Sequence, residues 1–202
     1  MPTITIDNVR ISYPKLFVAK QIKGKGEFKY SAAFLIPVNH LKLMELYQIA
    51  EQVIAEAYPS GQIPHNFKAL PCYDAALNPK YAALPDYAGV WVLNTSKRAD
   101  QGAPEVVDQN MQAVIQPGKI YPGLVVNVGL SVYCYDVETS KGITTGLEAI
   151  QIVKDGPRLD NKPSADELFQ PIAVSGGGPG GAAGGAAGGP GSAAGGKFNP
   201  LA

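Results

Sequence analysis

The chain has 202 residues, 46% of them hydrophobic, and its 17 Lys and Arg are matched by 17 Asp and Glu. Roughly 170 residues have ordinary globular composition, enough for one domain with its own core, and a net charge of zero excludes polyanion binding driven by bulk charge. Two distant cysteines, Cys72 and Cys134, speak for reduced thiols. With no secretory signal and no apolar run near about 18 residues, a cytoplasmic protein with no membrane partner is expected.

Residues 3–13, TITIDNVRISY, alternate in two phases. Ile4 and Ile6 share one parity; Val9, Ile11 and Tyr13 share the other. A bulge or tight turn is therefore expected at Asp7–Asn8 within a long strand, with Pro14 ending it. Between Met1 and Leu35, Arg10, Lys15, Lys20, Lys23, Lys25 and Lys29 face only Asp7 and Glu27. Residues 15–27 thus read as a mobile basic loop, either ordinary solvated surface or a patch that attracts phosphate. Residues 28–36 form a second strand, with Phe28, Tyr30, Ala32 and Phe34 on one face and Lys29 on the other. A helix is predicted from Asn39, as N-cap, to Tyr58. Leu43, Leu46, Tyr47, Ala50, Val53, Ile54 and Ala57 recur at helical spacing, and Pro59 and Gly61 stop it.

Residues 59–88 carry five prolines, together with Tyr73, Tyr81 and Tyr87, and read as a long loop, either functional or partly ordered by packing. Residues 89–98, GVWVLNTSKR, form a strand running into Lys97 and Arg98, and residues 104–116 a further pairing segment. Tyr121-Pro122-Gly123 turns into LVVNVGLSVYCYD, 124–136, where the alternation is clearest. Val126, Val128, Leu130, Val132 and Cys134 make the apolar face. The other face is small and polar until Tyr133 and Tyr135, a surface on which flat rings such as nucleobases can stack. The same tyrosines would equally serve to cover a hydrophobic edge. A hairpin at ETSKG then leads into a last strand, 143–153.

Five or six antiparallel strands with one helix predict a mainly β protein. Among small antiparallel barrels the oligonucleotide/oligosaccharide-binding fold (OB-fold) fits best. The domain is expected over 1–172. Residues 173–202 form a Gly/Ala/Pro-rich segment, expected to be disordered, with a mean reach of about 25 Å. It ends in the apolar tip KFNPLA. No enzyme is expected. His40 and His65 sit in no metal-ligand spacing, Asp74, Asp86, Asp100 and Asp108 form no paired-carboxylate motif, and KGKG at 23–26 lacks the phosphate-loop spacing. Neither metal nor cofactor is predicted.

The stretches VRISYPKLF (9–17), KYSAAFLIP (29–37), LNTSKR (93–98), VVDQNMQAV (106–114), IYPGLVVNVGLSVYCYD (120–136) and GITTGLEAIQIVKDGPRL (142–159) occur in one order over essentially the whole globular part. In them the chain resembles a family of bacteriophage single-stranded-DNA-binding proteins with an OB-fold. The resemblance implies non-catalytic, sequence-independent coating and protection of single strands during phage DNA replication or recombination, in the cytoplasm of an infected bacterium. The stacking candidates are Tyr133, Tyr135, Trp91, Tyr13, Phe17 and Tyr30. The phosphate candidates are Lys20, Lys23, Lys25, Lys29, Lys97 and Arg98. If Trp91 stacks, its fluorescence should quench on DNA. Members of the family commonly end in an acidic tail that recruits replication enzymes, whereas the last thirty residues here hold one charge, Lys197. Replication or recombination proteins remain the expected partners of the tail, and an oligomer is compatible with the sequence. The alternatives are a phage structural or assembly interaction protein, and a single-strand annealing protein.

Overall fold

Strand β1 (Thr3–Ile22) is the longest element and is shared by both halves of the sheet. Its first half pairs antiparallel with β6 (Val125–Val137), and its second half with β2 (Lys25–Pro37). The two apolar phases of its sequence are separated where expected. Asn8 adopts φ 52°, the register with β6 breaks between Ile6 and Val9, and Ile4, Ile6, Val9 and Ile11 are all buried. Asn tolerates this left-handed conformation better than most residues.

Pro14 does not end the strand. It lies in a second register break, between Ser12 and Lys15, beside Tyr13 at φ 48°. At such an irregularity the ladder does not need the missing N–H, so β1 runs on to Ile22. Lys15 and Lys20 therefore project from a strand rather than from a loop.

Helix α1 (Lys42–Ala57) follows β2. Leu43, Leu46, Ala50 and Val53 are buried against the barrel, at the spacing read from the sequence. Asn39 is not the cap. Leu41 is the N-cap and has no side-chain cap bond; the His40 ring before it steadies the start, its Nδ1 accepting the Lys42 N–H at 3.2 Å and its Nε2 lying 2.9 Å from the Asp7 carbonyl. The imidazole thus ties the helix start to the β1 bulge.

The remaining strands are β3 (Cys72–Asp74), β4 (Val90–Arg98), β5 (Glu105–Val107) and β7 (Ser140–Lys154). The strand order is β3-β4-β2-β1-β6-β7-β5, and β4 also pairs parallel with β7 at Thr95–Thr145 and Ser96–Gly146. That last pairing closes β1, β2, β4, β7 and β6 into a five-stranded barrel. The OB-fold reading holds. β5 lies parallel to β7 outside the barrel, and the chain folds back on it, Val114 N–H donating to the Val106 carbonyl. Only three residues of the expected pairing segment 104–116 are strand.

The described residues are 1–22, 25–137, 140–160 and Leu168. The chain divides into two units, Met1–Lys162 and Pro163–Ala202. Lys23, the 173–202 segment and its KFNPLA tip lie outside the described residues. Among the described residues no helix is long and apolar enough to cross a membrane.

Inside the barrel, Val126, Val128, Leu130 and Val132 of β6 meet Phe34, Ile36, Leu93, Ile143 and Leu147, all at most 3% exposed. Each such side chain contributes about 1.5–3 kcal/mol on burial. A second apolar cluster covers the outer face of β2 and β4. There Ala33, Leu35 and Val92 are roofed by Tyr81 and Tyr87, whose rings stack at 4.6 Å. The Pro-rich loop is thus ordered by its tyrosines.

Candidate nucleic-acid interface

The closing of the barrel brings small side chains from four strands into one row. Ser31 of β2 pairs with Ser96 of β4, Ser96 with Gly146 of β7, and Gly146 with Ser131 of β6. All four fall on the outward parity, because Ala32, Thr95, Thr145 and Val132 point inward and are buried. Strands spaced by about 4.8 Å make this a floor about 14 Å across. Gly146 is needed as glycine. A Cβ there would run into the Ser131 hydroxyl and press on Glu148 and the Tyr133 ring.

One side of the floor is aromatic and polar. Tyr133 lies one step along β6 from Ser131, paired with Thr144. Partial burial, and then the charge of Glu148, push its phenol above the ordinary tyrosine range. Tyr135 continues the same face, its hydroxyl 3.0 Å from Ser140 Oγ. Asn94, exposed on β4, donates to the Tyr73 hydroxyl at 3.1 Å. Tyr73 stands at the edge of the tyrosine stack, 6.4 Å from Tyr81.

The other side is basic. Lys29 pairs across the sheet with Arg98 on one hand and with Lys20 on the other. Lys97 reaches Glu148 at 3.3 Å, and Glu148 also accepts from Ser131 Oγ at 2.8 Å. Lys25 opens β2; Lys23 lies outside the described residues. Lys15, the register partner of Ser31, extends the row onto β1.

Of the stacking candidates, Tyr133 and Tyr135 stand on this face. Tyr13 is 47% exposed at the margin of the tyrosine stack, with Lys80 Nζ 4.1 Å from its ring centroid. Tyr30 pairs with Lys97 at the end of β2, half-exposed, on the parity of the barrel interior. Two candidates are set apart. Trp91 pairs with the buried Ile36, packs against the core and meets Tyr47 edge-on at 6.0 Å. Its alternation with Val90 and Val92 allowed either side, and the barrel takes the indole. Phe17 also packs on the core, lining an apolar groove with Leu16, Val106 and Val114.

Sequence reasoning missed Ser31, Ser96, Gly146, Glu148 and Tyr73. Their meaning lies in register between distant strands, which no local pattern carries. The nearest signal was the alternation of Gly and Ser with tyrosine in 129–135, which holds one of the four floor residues, Ser131.

Residues 2–177 match the family described as the ssDNA-binding protein of Enterobacter phage Enc34. A protein p50 of Acyrthosiphon pisum secondary endosymbiont phage 1 is 32% identical over 163 residues, covering 76% of this chain and 84% of the relative. Among solved structures, the single-stranded DNA-binding protein from bacteriophage Enc34 in complex with ssDNA superposes with a TM-score of 0.64 at 21% identity, over 78% of this chain and 89% of that one. The single-stranded DNA-binding protein gp2.5 of bacteriophage T7 superposes with a TM-score of 0.52 at 18% identity, over 81% of this chain and 98% of that one. At these identities the likeness to the solved structures is one of fold.

Proposed function

This chain belongs to the family of the Enterobacter phage Enc34 ssDNA-binding protein, and from that premise we propose that it binds and coats single-stranded DNA without reading its sequence. It does so as a non-catalytic protein of phage DNA replication and recombination, in the cytoplasm of the infected host. The observation that carries this reading is the row Ser31–Ser96–Gly146–Ser131, partly exposed at Ser31 and Ser96 and covered at Gly146 and Ser131, with Tyr133 on one side and Lys29 and Arg98 on the other. Its small, partly exposed serines on β2 and β4 leave room for a strand to lie against the barrel beside the Tyr133 ring. A tyrosine face takes any base, because every base has a π-face, and is worth about 1–3 kcal/mol per base stacked. Lysines and arginine hold phosphates as point charges and forks, and carry no base information.

In this reading Tyr133 and Tyr135 stack bases. Lys20, Lys29, Lys97 and Arg98 meet phosphates, joined by Lys25 at the start of β2 and by Lys23, which lies outside the described residues. Tyr13 and Tyr30 act at the margins. Residues 1–172 form the binding domain, and 173–202 a separate low-complexity segment that meets replication or recombination proteins.

The test is a fluorescence anisotropy titration of the full chain with labelled dT oligomers of graded length, mixed-sequence oligomers and a matched duplex. Single strands should bind tighter than duplex, with little dependence on base. Affinity should fall with salt, at a log–log slope of about −0.7 per neutralised phosphate. Equal affinity for duplex and single strand would overturn the reading.

A further inference from the structure

The cations of the β2–β4 corner are already engaged by the protein's own carboxylates. Lys97 Nζ lies 3.3 Å from Glu148, and Arg98 lies 2.7 Å from Asp100 and 3.3 Å from Glu27. Lys29 Nζ is 3.9 Å from Glu27. Three positive charges thus face three negative ones around one end of the small-residue row. On β1, by contrast, Lys15 and Lys20 make no ion pair among the described residues. The three carboxylates are not equally placed. All three are about half-exposed, with Glu27 and Asp100 at the rim. Glu148 stands on the floor itself, its second oxygen fixed by Ser131 Oγ at 2.8 Å and its charge felt by the Tyr133 phenol.

We propose that Glu148, Glu27 and Asp100 act as built-in competitors of the DNA backbone, holding Lys97, Arg98 and Lys29 in the DNA-free protein. The proposal rests on the single-strand-binding reading above. A phosphate arriving at Lys97 or Arg98 must displace a carboxylate or share the cation with it. The carboxylate so left stands beside a polyanion, and that repulsion offsets part of the Coulomb gain. Two consequences follow from the charge balance alone. Binding is weaker than the number of cations suggests, so that a bound strand is released readily. The salt response is also shallower, because a cation balanced by its own carboxylate neutralises less phosphate charge. Stacking on Tyr133 then carries a larger share of the affinity than in a face of unpaired cations.

The experiment compares full-length wild type, Glu148→Gln, the double variant Glu27→Gln/Asp100→Asn and the triple variant. Each is titrated by anisotropy with labelled dT oligomers at several salt concentrations. Glu51→Gln, exposed on α1 and in no ion pair among the described residues, makes the same charge change as Glu148→Gln and is the control. Each carboxylate removed at the corner should tighten binding roughly two- to fivefold, the scale of an exposed ion pair, and steepen the salt slope. The control should leave both within error. Unchanged or weaker binding by both Glu148→Gln and the rim double variant would overturn the proposal, as would equal tightening by Glu51→Gln. The rim variant touches only exposed side chains, so it decides the matter even if Glu148→Gln folds poorly. A wild-type chain that binds no dT oligomer defeats the single-strand reading itself, an outcome distinct from variants that bind like wild type.

Discussion

Tyr133 and Trp91 sit on opposite sides of the barrel wall, and their substitutions should separate binding from stability. Tyr133→Leu keeps most of the area buried against Gly146 but removes the flat ring. It should weaken ssDNA binding about tenfold, the weight of one stacked base, with little change in thermal unfolding. Trp91 is held between the core and Tyr47. Trp91→Ala should cost about 3–5 kcal/mol of stability by urea unfolding, whereas Trp91→Phe should bind DNA like wild type. The intrinsic tryptophan emission should then change little on titration with dT oligomers, against the quenching expected from a stacked indole. Cys72 gives a pH signature. Burial pushes its thiol up to about 11 from an ordinary 9.0, with the Tyr47 hydroxyl 3.9 Å away. The unfolded chain loses this proton first, so the contribution is fully present below pH 9 and is lost as pH rises toward 11. Urea unfolding at stepped pH should show that decline, and Cys72→Ala should remove the thiol's share of it.

At the scale of elements, the Pro-rich segment between α1 and β4 is a cover as well as a connection. Tyr81 is only 4% exposed, stacked on Tyr87, whose hydroxyl lies 2.7 Å from Ser12 Oγ. Tyr81→Ala should open the outer face of β2 and β4 and cost about 3 kcal/mol, by analogy with other buried aromatic truncations. The length of the segment left ordering by packing open, but which residues would do it was not legible. Three tyrosines among prolines show neither period two nor period 3.6, and their order comes from a sheet made elsewhere in the chain. What could be read was whatever repeats locally: the alternation of β6 and β7, the helical spacing of Leu43, Leu46, Ala50 and Val53, and the phase change at Asp7–Asn8. What could not be read was tertiary. Pro14 looks like a stop until the bulge beside it removes the need for its N–H. Asn39 looks like a cap, but the helix begins at Lys42 with Leu41 as N-cap, and the His40 ring, tied to Asp7, steadies that start. That Tyr133 and Tyr135 share the outward face could be read from β6 alone, but the floor beside them needed the register of four strands.

At the scale of the whole molecule, charge and core are divided unevenly along the chain. The buried core of both clusters lies between Ile4 and Ile150, well inside the Met1–Lys162 unit. The last strand is fastened after it ends: Leu159 N–H donates to the Pro122 carbonyl at 3.0 Å, and Arg158 lies over the Tyr121 ring at 4.7 Å. Gly123 makes that approach close. It has φ 108°, and a Cβ there would strike the Pro157 backbone. Gly123→Ala should therefore destabilise the domain more than an ordinary loop substitution would. Past this clasp, residues 173–202 contribute one charge, Lys197, so long-range electrostatics give them little hold on DNA. A fragment ending at residue 172 should keep the thermal midpoint of the full chain within about 2 °C, less than the shift produced by 1 kcal/mol in a domain of this size. Its dT affinity and salt slope should match the full chain within error. A fragment that melts several degrees lower would place part of the stabilising contacts in the terminal segment. A fragment that folds but binds several-fold tighter or weaker would give that segment a direct part in the DNA equilibrium, over and above any meeting with other proteins.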